Sequence, residues 1–107
     1  MEQITTVAEY HAAIIKRAIK ASDIRGLREV MARIEAEAVM SAEGKNAEQR
    51  AAAAMILARE QPLWVKAFDD YNVQQFHLDV LNGSIKAYEL LHALIIAGKD
   101  GEAQNER

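Results

Sequence analysis

The chain has no cysteine, a single proline and few aromatic side chains: one tryptophan, three tyrosines and two phenylalanines in 107 residues. Without cysteine, the protein cannot form disulfides, use a thiolate nucleophile or bind zinc through cysteine. Half of the residues are apolar and 27% are charged, which is a globular composition rather than a disordered one. These features predict one domain over residues 1–107, small enough that self-association would help to stabilise it.

Long apolar runs are also lacking. The longest one near the C-terminus extends from Ala93 to Ala97, which is far shorter than a membrane span. The N-terminal residues from Met1 to Thr6 have neither the basic nor the apolar region of a secretory signal. The sequence therefore predicts a cytoplasmic protein without a membrane partner.

Two helices are predicted in the first third of the chain. Thr6 and Glu9 have the spacing of a capping box, and a helix follows to about Ala21. Ser22 is a suitable N-cap for a second helix, which ends between Ser41 and Gly44. Because neither residue at the junction of the two helices is glycine or proline, a single bent helix is the alternative.

The residues from Gly44 to Arg50 predict a sharp turn followed by a third helix. Gly44 can take the left-handed conformation that ends a helix. Asn46 can cap the next helix, and Gln49 can reach back as in a capping box. The third helix then runs to about Glu60.

Pro62 marks the start of a long fourth helix that extends to about Ala97. A first apolar stripe has the spacing of a coiled-coil seam and comprises Trp64, Phe68, Tyr71, Leu78 and Ile85. A second stripe on another face comprises Phe76, Val80, Ala87, Leu91 and Leu94. The sequence Asn82-Gly83-Ser84 can split or kink this helix, but both stripes stay in phase across it, which favours a continuous helix.

A helix with two apolar faces needs two neighbours, one of which can come from a second copy of the chain. The fold prediction is therefore all-α, a small bundle of about four helices with a long C-terminal helix. We expect a homo-oligomer built on the residues from Leu63 to Ala97, with the first stripe as either self-interface or core. Residues 1–5 and 99–107 are predicted to fray.

The turn and the long final helix resemble those of a group of small helical proteins from phages and prophages. The matching residues form a Gly-Lys-Asn-x-Glu-x-Arg turn: Gly44, Lys45, Asn46, Glu48 and Arg50. Pro62 and the helix from Trp64 to Ala97 follow it, although the long helix is typically more charged in that group. The resemblance covers about the second half of the chain and implies a phage-encoded accessory protein without an enzymatic activity to carry over.

Seven basic residues are the candidate contacts for a partner or an anion: Arg17, Lys20, Arg25, Arg28, Arg33, Lys45 and Arg50. Lys45 and Arg50 lie with Glu48 on the turn, where charged side chains suit recognition; capping and solubility are the alternative explanation. The other five lie between Lys16 and Arg33 and suit phosphate oxygens. Alternatively, these five side chains are simply solvated, or they pair with the acidic residues Glu35, Glu37 and Glu43.

No metal site, cofactor or catalytic residue is predicted. Glu89 and His92 have the Glu-x-x-His spacing of di-iron bundles, but such sites need a second copy of this motif. A glycine-rich phosphate loop and a nucleophile elbow are both missing. The adjacent carboxylates Asp69 and Asp70 diverge on a helix instead of converging on a substrate.

The sequence therefore predicts a non-enzymatic accessory protein that binds a host or phage protein, in recombination or in countering host defence. The alternative is an oligomeric binder of nucleic acid or of an anionic nucleotide. In that case symmetry would bring together copies of the basic residues between Lys16 and Arg33. The net charge of −3 and the absence of aromatic residues among these basic residues favour the protein partner.

Overall fold

A computed structural model describes the backbone of residues 3–105 and the side chains of residues 3–99. Over this range the protein has no strand and three helices: α1 (Val7–Ser41), α2 (Ala47–Glu60) and α3 (Pro62–Asn105). The all-α prediction and the long C-terminal helix are confirmed. The predicted frayed ends fall partly outside the described residues; residues 3–5 are not helical, and α3 is described to Asn105.

The helix α1 is continuous where two helices were predicted. Ala21 and Ser22 both lie inside it, as in the single-helix alternative. A serine costs little in a helix interior, and the apolar positions Ala21, Ile24 and Leu27 keep helical spacing through the junction. Residues 3–105 therefore contain three helices rather than about four.

The predicted capping box at the start of α1 is present. The backbone N–H of Glu9 donates to Thr6 Oγ1 at 3.1 Å. The Glu9 carboxylate reaches back and accepts from the backbone N–H of Thr5 at 3.0 Å. The first bond satisfies a donor that the first turn of a helix leaves without a partner, and the second ties the residue before the N-cap to that turn.

The helix α3 is continuous through Asn82-Gly83-Ser84, as the phase of its two stripes predicted. The Ser84 hydroxyl donates to the Val80 carbonyl at 3.3 Å, so this side chain bonds along the helix without breaking it. Pro62 is the first residue of α3, and Gln61 before it is extended, with φ −75° and ψ 125°. This conformation is what the ring of a following proline imposes.

The described residues divide into two compact units. We call residues 3–19 and 77–105 the two-helix region, because it contains the beginning of α1 and the end of α3. Residues 20–76 form the three-helix region, which contains the rest of both helices and all of α2.

The core of the three-helix region is built mainly from alanine. A single buried cluster comprises Ala38, Ala54, Ala58 and Trp64. Half-buried side chains pack against it, namely Met31, Ile34, Ala42 and Leu57. Here α1 and α3 are antiparallel, because Arg28 bonds to Tyr71 while Glu35, further along α1, bonds to Trp64.

In the two-helix region the buried core is smaller. Ala13 and Ile85 are its buried residues, at 7% and 1% exposure. The rings of Tyr10 and Tyr88 stack with centroids 4.9 Å apart. All side chains of residues 89–99 are exposed.

Candidate partner-binding surfaces

The turn at residues 44–50 is capped as the sequence predicted. Asn46 Oδ1 accepts from the backbone N–H of Gln49 at 2.8 Å. Gln49 Oε1 accepts in return from the backbone N–H of Lys45 at 3.0 Å. The two bonds fix the backbone at the start of α2, as in a capping box.

Gly44 does not take the left-handed conformation predicted for it, since no described glycine has a positive φ. Close packing explains the glycine instead. A Cβ here would lie 2.8 Å from Arg50 N and 3.0 Å from the carbonyl carbon of Gln49. Because both are backbone atoms, the turn would have to open to admit a side chain.

The charged residues of the turn lie at an exposed corner between α1 and α2. Lys45, Glu48 and Arg50 are all exposed. Arg50 Nη1 donates to the Gly44 carbonyl at 3.5 Å, so this arginine also helps to close the turn. Met40, four residues before Gly44, is 88% exposed and adds an apolar side chain to the corner.

Two of the candidate basic residues join α1 to α3 inside the three-helix region. Lys20 Nζ donates to Gln74 Oε1 at 3.1 Å. Arg28 Nη2 donates to the Tyr71 hydroxyl at 2.9 Å, and its guanidinium carbon lies 5.3 Å from the centroid of that ring. Polar contacts between two packed helices help to set their register, which gives Lys20 and Arg28 a structural role.

The remaining basic residues of α1 do not form a compact cluster. Arg25 and Arg33 are exposed in the three-helix region, and eight residues of helix separate them by about 12 Å along its axis. Arg17 belongs to the two-helix region, where it is half-buried. A pair of arginines at this spacing does not converge on one small anion.

Packing within the chain occupies most of the first stripe. Four of its five residues are buried or half-buried, namely Trp64, Tyr71, Leu78 and Ile85. Phe68 is 41% exposed and stacks on Trp64 with centroids 5.0 Å apart. Trp64 Nε1 donates to Glu35 Oε1 at 3.2 Å, so α1 is one of the two neighbours that α3 needs.

The two-helix region holds an aromatic and polar cluster that the sequence analysis missed. The Tyr10 hydroxyl donates to Glu89 Oε2 at 2.9 Å, and the Tyr88 ring stacks on both Tyr10 and His92. The hydrogen bond to the Glu89 carboxylate raises the pKa of Tyr10 above its ordinary value of 10.0. The spacing of residues 88, 89 and 92 predicts that they lie together on α3, but no local pattern in the sequence indicates that Tyr10 of α1 contacts them.

Glu89 and His92, the pair with metal-ligand spacing, contact aromatic rings and hydroxyls in the cluster around Tyr10. Among the described side chains, no three histidine, aspartate or glutamate residues come together as possible metal ligands. Glu89 joins α3 to α1 through Tyr10, whereas the His92 ring stacks on Tyr88 of its own helix.

A groove of about 630 Å³ runs along α3 in the two-helix region. Its apolar lining comprises Ile4, Val80, Gly83, Ala87, Leu91 and Ile95. Its polar lining comprises Gln3, Thr5, Asp79, Ser84, Tyr88 and His92. A Cβ at Gly83 would meet no atom within 4 Å, so the groove is open at this point and can admit a large side chain.

Much of the apolar length of α3 is exposed. Within Pro62–Lys99, an 18-residue window has a mean hydropathy of 1.2, and only 6% of it is buried. By length and composition alone, the helix is therefore long and apolar enough to cross a membrane. Helices that pack against other proteins satisfy the same criterion, so hydropathy does not identify what surrounds this window.

Comparisons with protein-family models, with curated proteins and with solved structures find no match for this chain. The resemblance of the turn to small phage and prophage proteins stays a prediction.

Proposed function

We propose that the protein acts without catalysis, by binding another protein in a fixed ratio. The main support is the position of its apolar side chains. Among the described residues, five of the eight buried apolar ones are alanine, whereas eighteen large apolar side chains are 37–88% exposed. Extensive exposed apolar surface marks sites of interaction with other molecules.

The corner between α1 and α2 is the surface that we assign to the partner. Among the described residues, Met40 is the most exposed large apolar one at 88%, and methionine adapts its shape to irregular surfaces. The flanking charges of Lys45 and Glu48 give orientation and specificity. Because Asn46 and Gln49 already fix the backbone, the corner loses little conformational freedom on binding.

The biological setting that we propose comes from the resemblance of the turn to phage and prophage proteins. The partner is then a host or phage protein that the chain meets in the cytoplasm of the host cell. Binding would serve recombination or would counter a host defence.

Affinity capture from lysates of infected and uninfected bacteria, followed by calorimetry with the purified captured protein, tests this function. We expect the double substitution Met40→Glu and Lys45→Glu to weaken binding at least about tenfold, as expected for central contact residues. Helicity should not change, because both side chains are exposed. Ile15→Glu, at a residue of the two-helix region that is 62% exposed, is the matched control and should bind normally.

Two results would contradict the proposal. One is that no protein is captured specifically at mild salt while the purified chain turns over a substrate. The other is that Ile15→Glu weakens the binding as much as the substitutions at the corner do, because the partner would then contact a different surface.

The alternative of an anionic ligand has less support. Lys20 and Arg28 bond to side chains of α3, and Arg25 and Arg33 are about 12 Å apart along α1. Binding dominated by phosphate contacts would weaken steeply as the salt concentration rises. If a cyclic nucleotide or an oligonucleotide raises Tm at low salt and Arg25→Glu abolishes this effect, the anionic ligand replaces the protein partner.

A further inference from the structure

The side of α3 that is turned away from the Tyr10 contact is apolar and uncovered in the two-helix region. Leu90, Leu91 and Leu94 are 57–62% exposed. Gly83 and Ala87 precede them at helical spacing on the same side and are exposed as well. We call these five residues the outer face of α3.

The five residues of the outer face carry no charge. Between residues 79 and 97, the lysine and acidic side chains are Asp79, Lys86 and Glu89, and Asp79 lines the groove at the start of the face. Glu89 bonds to Tyr10 of α1, and Lys86 precedes Ala87 at the edge of the face. A neutral apolar face does not select nucleic acid or an anionic membrane surface, since both attract basic side chains.

The order of residues along this face makes it complementary to itself. Steps of three and four residues alternate along a seam that comprises Val80, Gly83, Ala87, Leu90, Leu94 and Ala97. This alternation is the spacing of a helix–helix seam. Its small residues Gly83 and Ala87 come before its leucines Leu90 and Leu94, so small residues lie opposite leucines when two copies are antiparallel. Self-complementarity is what a two-fold symmetric contact requires.

We propose that the outer face of α3 binds the outer face of a second copy of the chain, with the two α3 helices antiparallel. In this arrangement Gly83 faces the partner's Leu94, and Ala87 faces the partner's Leu90. Each leucine then enters space that a small residue leaves open. The groove beside α3 has that space, because it is lined by Gly83 and Ala87 and a Cβ at Gly83 would touch nothing.

The contact is short, so the dimer forms reversibly. Eighteen residues, from 80 to 97, give a seam of about 27 Å at 1.5 Å per residue. A single helix face of this length lies at the lower end of the size range of specific interfaces. The dimer contact and the corner proposed for the protein partner use different residues, so an experiment can contradict either proposal without affecting the other.

Sedimentation velocity from low to high micromolar concentration tests the contact. We expect the protein to change from monomer to dimer over this range. The double substitution Leu90→Asp and Leu94→Asp should weaken association at least about tenfold. Ile15→Asp is the control, because this α1 residue is as exposed as Leu94, at 62% against 61%, and it should leave association unchanged.

Circular dichroism at 222 nm establishes that the double variant is folded, which is expected because both leucines are exposed. A protein that stays monomeric at the highest concentration would overturn the proposal. So would a dimer that Ile15→Asp disrupts and the leucine substitutions do not. Cosedimentation of a monomer with phosphatidylcholine–phosphatidylglycerol vesicles would assign the outer face to a membrane instead.

The absence of cysteine allows the orientation of the helices to be tested directly. Chains with Gly83→Cys are mixed with chains with Leu94→Cys and joined by a short thiol cross-linker. We expect the mixture to give cross-linked dimers and each variant alone to give few, because these positions face each other only in the antiparallel arrangement. Efficient cross-linking of Leu94→Cys with itself would indicate parallel helices and overturn the assignment.

Discussion

In the three-helix region α2 lies beside α1 and α3, and the buried residues there include a tryptophan: Ile24, Ala38, Ala54, Ala58, Trp64 and Ala67. Among the described residues, the two-helix region contains parts of α1 and α3 and no other helix, and its buried residues are Ala13 and Ile85. A pair of helices buries one stripe of each partner, and further burial needs another layer. The difference between the regions is therefore the contribution of α2.

The comparison bears on three exposed leucines near the end of α3, although Leu63 in the three-helix region is exposed as well, at 70%. Leu90, Leu91 and Leu94 lie on α3 in the region without α2. A second copy of α3 would give the two-helix region the additional layer that α2 gives the other region. The proposed dimer and the packing of α2 within the chain would thus both bury apolar surface that a pair of helices leaves exposed.

The largest expected effect is on the core of the three-helix region. Trp64→Ala should lower the free energy of unfolding by about 3–5 kcal/mol, as is usual when a buried aromatic side chain is removed. The substitution also removes the partner of Glu35. Urea unfolding followed at 222 nm measures the change. Phe68→Ala, at a residue that is 41% exposed, is the control, and an equal loss there would show that Trp64 is not the main core residue.

A substitution at the buried residue of the other region should have a smaller and more local effect. Ile85 is 1% exposed, and Ile85→Ala should cost about 2 kcal/mol, at the low end for such changes, because a small core can collapse around the missing atoms. Hydrogen exchange should accelerate in residues 7–19 and 77–99. If the amides of α2 lose as much protection, the two regions unfold as one unit and the comparison between them fails.

Two glycines of the three-helix region should respond in opposite directions. Gly44→Ala places a Cβ 2.8 Å from a backbone nitrogen and should destabilise the protein by about 1–3 kcal/mol, the range found for overpacked sites. Gly26 is inside α1, and its Cβ would meet no atom within 4 Å. Gly26→Ala should therefore stabilise the protein by about 0.5–1 kcal/mol. Thermal unfolding of both variants measures this, and a stabilising Gly44→Ala would refute the close packing of the turn.

The smallest effect concerns the hydrogen bond between Tyr10 and Glu89 in the two-helix region. Since Glu89 raises the pKa of Tyr10, the neutral phenol is favoured in the folded chain. The contribution of this hydrogen bond to the free energy of unfolding is present below the pKa of the unfolded state, about 10. It is lost as the pH rises through the pKa of the folded state. Glu89→Gln should lower the pKa of Tyr10 towards 10.0, measured by NMR titration of the ring carbons. Glu29→Gln, in the three-helix region, is the control, and an equal shift there would rule out the local bond as the cause.

Features set by neighbouring residues were predictable from the sequence. Thr6 and Asn46 cap their helices, and Pro62 begins α3, because these roles depend on a few adjacent side chains and on the fixed φ of proline. The predicted break at Ser22 was wrong because a suitable N-cap residue does not end the preceding helix, and serine is tolerated in a helix interior.

The role of Gly44 and the contact between Tyr10 and Glu89 were not predictable in the same way. A glycine is compatible with a left-handed conformation or with a close approach of the backbone, and only the position of the Arg50 amide distinguishes the two. Tyr10 and Glu89 are 79 residues apart, so no local pattern pairs them. The candidate basic residues were not predictable either. The sequence presents Lys20 and Arg28 as possible anion contacts, but in the structure both side chains bond to residues of α3.

By itself, the sequence determined that the chain is helical, which residues cap α1 and α2, and which residues form the two apolar stripes of α3, because spacing along a helix decides which residues share a face. Only the tertiary structure decided how these stripes are used. Packing within the chain takes up most of the first stripe, from Trp64 to Ile85, while the later part of the second stripe is uncovered. The reason is physical: periodicity shows that a face is apolar, whereas burial depends on whether another helix lies opposite it.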